Sequence, residues 1–304
     1  MRYVVGYTAD RHGRDAIRLA ATLAAERGAS LDIVVVLPVE TSTYDMYSPD
    51  RAYYSRLRAH GREWLDQAQS SLPKDLEASG RIYHAESIAE GLIAAAIDPA
   101  RGEEAALIAV GASRRGVLGR FTVGSIADAL LHSAPVPVAL APAGYQGYPA
   151  VTRFTAALGE RQGAAALLNV AIDSAAGRQI PLRLISLVAL APDGADEERA
   201  LVGKAEAHAA ELVEQAKSEL PAACPVTSAI GKGRTVEEAV QALEFAADEI
   251  VLVGSSRLAA PRRLFLGAAA NKMLRALPVP MIVVPRDYEA TATVDRTTAS
   301  RRQL

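Results

Sequence analysis

Residues 111–142, GASRRGVLGRFTVGSIADALLHSAPVPVALAP, align without a gap to residues 254–285, GSSRLAAPRRLFLGAAANKMLRALPVPMIVVP. Gly111, Ser113, Arg114, Arg120 and Gly124 match Gly254, Ser256, Arg257, Arg263 and Gly267. Further on, Ala127, Leu131, Pro135, Val136, Pro137 and Pro142 match Ala270, Leu274, Pro278, Val279, Pro280 and Pro285. Shared composition does not produce matched glycines and prolines in one register, so the chain carries an internal repeat. A repeat of this length restricts the fold to one unit built twice.

Upstream the repeat is fainter. YVVGYTADRHGRDAIRLAATLAAERGASLDIVVVLP pairs with RFTAALGERQGAAALLNVAIDSAAGRQIPLRLISLVAL, and RIYHAESIAEGLIAAAIDPARGEEAALIAVG pairs with CPVTSAIGKGRTVEEAVQALEFAADEIVLVG. Each half reads as five strands alternating with four helices. Continuous apolar runs such as DIVVVL, ALIAV, EIVLV and MIVV suit strands buried on both faces of a parallel sheet. The expected fold is α/β, with two tandem doubly wound five-stranded parallel-sheet domains. The domains are expected at 1–143 and 151–286, joined by the Gly/Pro/Tyr linker AGYQGYPA at 143–150, with a polar, aperiodic tail at 287–304 expected to be disordered.

Composition excludes several classes of protein. Half of the residues are apolar and the net charge is −2, so there is a core to bury and no basic field for nucleic acid. The single cysteine, Cys224, cannot form an internal disulfide and suits a reducing compartment. MRYVVGYTAD reads as an immediate strand rather than a signal peptide, and no apolar stretch approaches a membrane span. The expected location is the cytoplasm. The five histidines, His12, His60, His84, His132 and His208, show no metal-ligand spacing, so no metal site is expected.

Ligands of doubly wound sheets bind beyond the carboxyl ends of the strands, where the loop from Gly111 to Ser125 falls. Free amides of a helix first turn favour an anion there. Ser125 can cap the helix or donate to a phosphate, and Arg114, Arg115 and Arg120 add positive charge. The alternative reading is a sharp turn with an ordinary serine cap and solvated arginines. The loop is neither a Walker loop nor a dinucleotide fingerprint. GKGRT at 231–235 is read as the start of a helix over VEEAVQALEFAA, capped by Thr235 with Glu238 completing a capping box.

Gly111-x2-Arg114-x9-Gly124-Ser125, followed by a helix and PVPVALAP, resembles the carboxyl-terminal signature of the universal stress protein family. The resemblance covers residues 2–142 and 151–285. It implies an adenine nucleotide alpha-hydrolase-like fold in each half, with the two halves forming an internal pseudo-dimer through VPVALAP and VPMIVVP; a homodimer is the further assembly it suggests. In nucleotide-binding members the pattern is Gly-x2-Gly-x9-Gly-Ser/Thr with an Asp after the first strand. Carried over, this implies an ATP or AMP site in the first half, with Mg only if ATP binds. Gly111, Gly124 and Ser125 are in place, while Arg114 fills the second glycine slot. Thr8 fills the Asp slot, with Asp10 two residues later; Leu37 takes the adenine-backbone position and Val110 flanks the pocket. In the second half Arg257 fills the glycine slot, Ala268 replaces the hydroxyl residue and the Asp slot falls near Leu158, so this half is expected not to bind.

Tyr44, Tyr47, Tyr53 and Tyr54 are read as packing a loop and helix start, with stacking on a base as the alternative. His12 is read as a solvated turn residue and Cys224 as buried structure. No catalytic constellation can be assigned, so the chain is expected not to be an enzyme beyond slow hydrolysis of a bound nucleotide. Two function classes follow: a nucleotide-binding stress or signalling protein, or a scaffold acting through dimer-like contacts.

Overall fold

The computed structural model describes residues 1–39, 49–112, 124–159, 164–190, 195–256 and 263–288. The first half runs β1 (Arg2–Gly6), α1 (Arg11–Ala25), β2 (Ser30–Pro38), α2 (Pro49–Ser70), β3 (Ala78–Ala85), α3 (Ile88–Ala96), β4 (Leu107–Gly111), α4 (Ser125–Ser133) and β5 (Val138–Ala141). The second repeats it: β6 (Arg153–Ala157), α5 (Ala164–Ala176), β7 (Leu182–Ala189), α6 (Ala195–Glu219), β8 (Val226–Gly233), α7 (Val236–Gln241), β9 (Glu249–Gly254), α8 (Ala268–Ala276) and β10 (Met281–Val284).

All ten strands form one sheet in the order β3-β2-β1-β4-β5-β10-β9-β6-β7-β8. Every neighbouring pair is parallel except β5 and β10, which pair antiparallel with Met281 opposite Leu140 and Val283 opposite Val138. The apolar runs read as last strands thus join the halves along one seam, and all eight of their residues are buried. Helices α1, α2, α5 and α6 cover one face of the sheet, and α3, α4, α7 and α8 the other. Because the seam reverses strand direction, the carboxyl ends of the two halves open on opposite edges of the sheet.

The linker at 143–150 is fastened to α1. Asp15 accepts the amide of Gly144 at 2.7 Å, Arg18 donates to the Tyr145 carbonyl at 3.1 Å and Thr22 donates to the Tyr148 carbonyl at 3.0 Å. Arg178 of the second half is buried against α1, bonding Glu26 at 3.0 Å and the Leu23 carbonyl at 2.7 Å while lying over the Phe154 ring. Of the tail expected to be disordered, residues 289–304 lie outside the described residues, whereas Tyr288 packs against the core and donates to the Ala106 carbonyl at 3.4 Å.

Each half buries an ionic cluster at the amino ends of its strands. Asp32 is fully buried and meets Arg2 and Arg101 at 3.3 Å and Arg81 at 3.7 Å, with Ser79 donating to it. In the second half the acid moves to the start of β9. Fully buried Glu249 meets Arg153 at 2.5 Å and Arg183 at 2.7 Å, and accepts from the Thr155 hydroxyl. Arg2 and Arg153 hold equivalent places on β1 and β6, but Asp32 of β2 corresponds to Arg183 of β7.

The helices α1 and α5 end in the same turn, closed by Ala29 N donating to Ala24 O and by Ile180 N donating to Ala175 O. Its left-handed residue is Gly28 (φ 58°) in one half and Gln179 (φ 56°) in the other. A side chain in that conformation is strained, so Gln179→Gly is expected to stabilise the protein by about 0.5–1 kcal/mol. A rise in the urea midpoint at constant slope checks this; a fall would show that the Gln179 side chain contributes more than the strain removes.

Candidate functional site

The strand order reverses between β1 and β4 in the first half, which opens a crevice at their carboxyl ends. Thr8 and Asp10 form the turn that follows β1. Asp10 is the N-cap of α1, accepting the Gly13 amide at 3.0 Å and the Thr8 hydroxyl at 2.8 Å. Burial pushes the Asp10 carboxyl up, but the Gly13 amide, the Thr8 hydroxyl and nearby His12 together outweigh it and hold the group below the usual carboxylate range. Thr8 has committed its proton to Asp10, so toward a ligand hydroxyl it can act only as an acceptor.

The first turn of α1 lies directly over the end of β4. A Cβ on Gly111 would overlap the carbonyl of His12, and a Cβ on Gly13 would overlap the carbonyl of Thr8. His12 is half-buried rather than fully solvated as expected, its Nδ1 lying 3.2 Å from the Ala112 carbonyl, to which a protonated Nδ1 would donate. Gly111 is therefore required by the close approach of helix and strand, independently of any ligand.

Across the crevice α4 begins with Gly124 as N-cap, with no side-chain cap hydrogen bond among the described residues. Ser125 is the first helical residue and exposed, so the cap expected of it belongs to Gly124. Among the described residues, no side chain caps the first-turn amides of α4. Arg114, Arg115 and Arg120 lie outside the described residues, as do Arg257, Tyr44 and Tyr47. Tyr53 and Tyr54 sit on α2 with ring centroids 5.5 Å apart, edge to face.

Val110 and Leu37 are both buried at 4 % exposure. Tyr7 donates its amide to the Val34 carbonyl, and β1 ends at Gly6 while β2 continues to Pro38. Alternation along the ladder turns the amide and carbonyl of Val36 toward the vacated β1 side, and those of Leu37 toward β3. The backbone groups available to a base in the crevice therefore belong to Val36, one residue before the position the resemblance implied.

The second half presents a different crevice. Pairing of β6 with β9 places Leu158 where the first half has Tyr7, and Gly159 where it has Thr8, a one-residue correction to the expected slot. The corresponding cavity, 270 Å³, is lined by Leu158, Leu187, Val253, Ala270 and Met273, with Ser255 and Ser256 the polar side chains among the described lining residues. Ser255 is tied to Phe265, whose amide it accepts at 2.8 Å. Among the described residues, a Cβ on Gly254 would meet only Leu167, at 3.7 Å.

The end of this second loop docks on the first half. Leu264 and Leu266 donate their amides to the carbonyls of Ala134 and Leu131, and Arg263 reaches the Ser133 carbonyl at 3.3 Å. These acceptors are carbonyls at and just beyond the last turn of α4, groups a helix cannot satisfy itself. The Phe265 ring meets His132 edge to face, with centroids 5.0 Å apart.

Elsewhere, Thr235 caps α7 as expected by accepting the Glu238 amide, while Glu238 accepts the amide of Arg234 rather than that of the cap. The helix is shorter than VEEAVQALEFAA, ending at Gln241. Cys224 is buried, with its sulfur 3.9 Å from the Ala175 carbonyl. Among the described residues no group of three His, Cys, Asp or Glu side chains could hold a metal ion, and no helix is long and apolar enough to cross a membrane.

Comparison with known proteins finds the universal stress protein family model matching twice, at residues 1–142 and 151–285. A universal stress protein of Mycobacterium tuberculosis (strain H37Rv) is 27% identical over 295 residues, covering 94% of this chain and all of its own length. A universal stress protein of Mycobacterium bovis matches to the same extent. The crystal structure of a universal stress protein from Archaeoglobus fulgidus superposes with a TM-score of 0.60 at 17% identity, covering 94% of this chain and 98% of that one.

Proposed function

Since the chain belongs to the universal stress protein family twice over, we propose that it is a cytoplasmic stress-response protein whose first half binds an adenine nucleotide and whose second half does not. The observation that carries this reading is the start of α4 at Gly124, where none of the described side chains caps the helix, set across the crevice from the acceptors Thr8 and Asp10. The first-turn amides suit phosphate oxygens. Thr8 and Asp10 suit ribose hydroxyls, and the vacated edge of β2 at Val36 suits a base. ATP and AMP are the candidates, with Mg²⁺ entering only with the phosphates of ATP. The protein acts by binding: the crevice offers phosphate and sugar contacts, and among the described residues no paired general acid and base.

The second half reads instead as a scaffold. Gly159 offers no side chain to a sugar, and Ala268 begins α8 where the first half has Ser125. The cavity between them is mostly apolar. Its loop is spent on holding the end of α4, which supports an interaction role within the internal pair.

Calorimetric titration with ATP and AMP tests the reading. One site per chain is expected, abolished in Gly124→Val with Ser125→Ala and retained in Gly267→Val. No heat at millimolar nucleotide would eliminate the nucleotide reading. Binding that survives the Gly124/Ser125 variant would sink the placement of the site.

A further inference from the structure

A cavity of 540 Å³ lies along α1, bounded by the end of α2 on one side and by linker residues 147–149 on the other. This is within the size range of pockets for small ligands, about 300–1,000 Å³. It is separate from the nucleotide crevice: Tyr7 turns its ring into the core cluster shared with α1 and α2, while Thr8 beside it faces the turn. Ile17, Ala21 and Leu72 give the cavity an apolar wall, and Arg14, Arg18 and Tyr7 give it a polar one.

The polar wall carries one sign of charge. None of the described residues lining the cavity is acidic. Arg18 is engaged, donating to the Tyr145 carbonyl at 3.1 Å and lying 3.6 Å from Asp15. Arg14 forms no ion pair and the Tyr7 hydroxyl no hydrogen bond among the described residues. Burial raises the Tyr7 phenol, Arg14 lowers it and the Asp10 carboxylate, outside the lining, raises it, so the group stays a neutral donor at physiological pH. A guanidinium and a phenol donor beside a hydrocarbon wall complement an anion that carries an apolar body.

We propose that this cavity binds a small organic carboxylate, its charged group on Arg14 and the Tyr7 hydroxyl and its hydrocarbon against Ile17, Ala21 and Leu72. Because residues 147–149 form one wall, the ligand bridges α1 and the linker between the halves.

Octanoate is the probe, titrated calorimetrically into the full chain with 1-octanol as the uncharged control. Octanoate is expected to bind saturably and more tightly than octanol. Arg14→Gln, a change at an exposed position, is expected to weaken octanoate at least about tenfold, the loss of a hydrogen bond to a charged group. Ala21→Phe is expected to abolish binding by filling the cavity, with circular dichroism confirming the fold. Absence of saturable octanoate binding, or equal affinity in the wild type and Arg14→Gln, would overturn the proposal. The Gly124→Val, Ser125→Ala variant is expected to bind octanoate like the wild type, so the two sites succeed or fail independently.

Discussion

Replacing Glu249 with alanine is expected to cost about 3–5 kcal/mol of stability, the effect of removing one member of a buried ionic cluster. Its carboxylate is fully buried and joins Arg153, Arg183, Thr155 and the Ala246 amide, the last at 3.1 Å. Arg183 is itself only 10% exposed and lies over the Phe245 ring. Burial already depresses the Arg183 guanidinium, with Glu249 opposing that depression and Arg153 adding to it. Without the carboxylate, two guanidinium groups remain side by side with no counter-charge at the start of β9. Urea denaturation reads the result as a lower midpoint at unchanged slope. A loss below about 1 kcal/mol would show that the cluster contributes nothing beyond filling space. Replacing Glu249 and Arg183 together by leucine is expected to recover much of the loss, because no charge is then left stranded there.

The second large effect separates the two crevices. Gly111→Ala is expected to destabilise the protein by about 1–3 kcal/mol, the range for forcing atoms into a packed site, and to remove the proposed nucleotide binding. The obstacle is backbone, the carbonyl of His12 in the first turn of α1, so no side chain can rotate away to make room. Relief requires α1 to lift, which displaces Asp10 and Thr8 with it. Gly254→Ala, the same change in the other half, meets among the described residues only the Leu167 side chain, at van der Waals distance. It is expected to fall within about 0.5 kcal/mol of the wild type. Equal effects at the two glycines would mean that α1 does not press on β4 as described.

Much of this architecture is legible in the sequence because each signal is local or repeated. The matched glycines and prolines mark both halves and the apolar runs mark the strands, while the pairing of the last strands is implied by the family resemblance alone. The helix start at Thr235 follows from neighbouring residues. What escapes is set at long range. The one-residue shift at Leu158 arises because Gly13 and Gly163 invite an alignment that the ladders do not keep. The ionic clusters show only as lone charges within apolar runs, Asp32 in SLDIVVVLP and Arg183 in LRLISLVA. Their partners, such as Arg101 for Asp32, lie far off along the chain. The early end of α7 has the same origin. Arg183 takes the Glu244 carbonyl and Glu249 the Ala246 amide, drawing that stretch out of the helix its composition favours. Tyr288, an aromatic in a polar tail, docks on surface that only the folded protein creates.

The antiparallel seam between β5 and β10 has a consequence for how such a protein can change. In an assembly of two identical subunits every substitution is made twice, so a change that suits one site is imposed on the other. Here the two subunits' worth of structure is covalent, and each position is inherited once. That freedom is visible across the pair: Thr8 faces Gly159 in the comparison, Ser125 faces Ala268, and a glycine pressed by backbone faces one in open contact. Symmetry of the scaffold is kept while symmetry of the sites is lost. Under the proposed function the stoichiometry is therefore one nucleotide per two domains, set by the gene rather than by affinity.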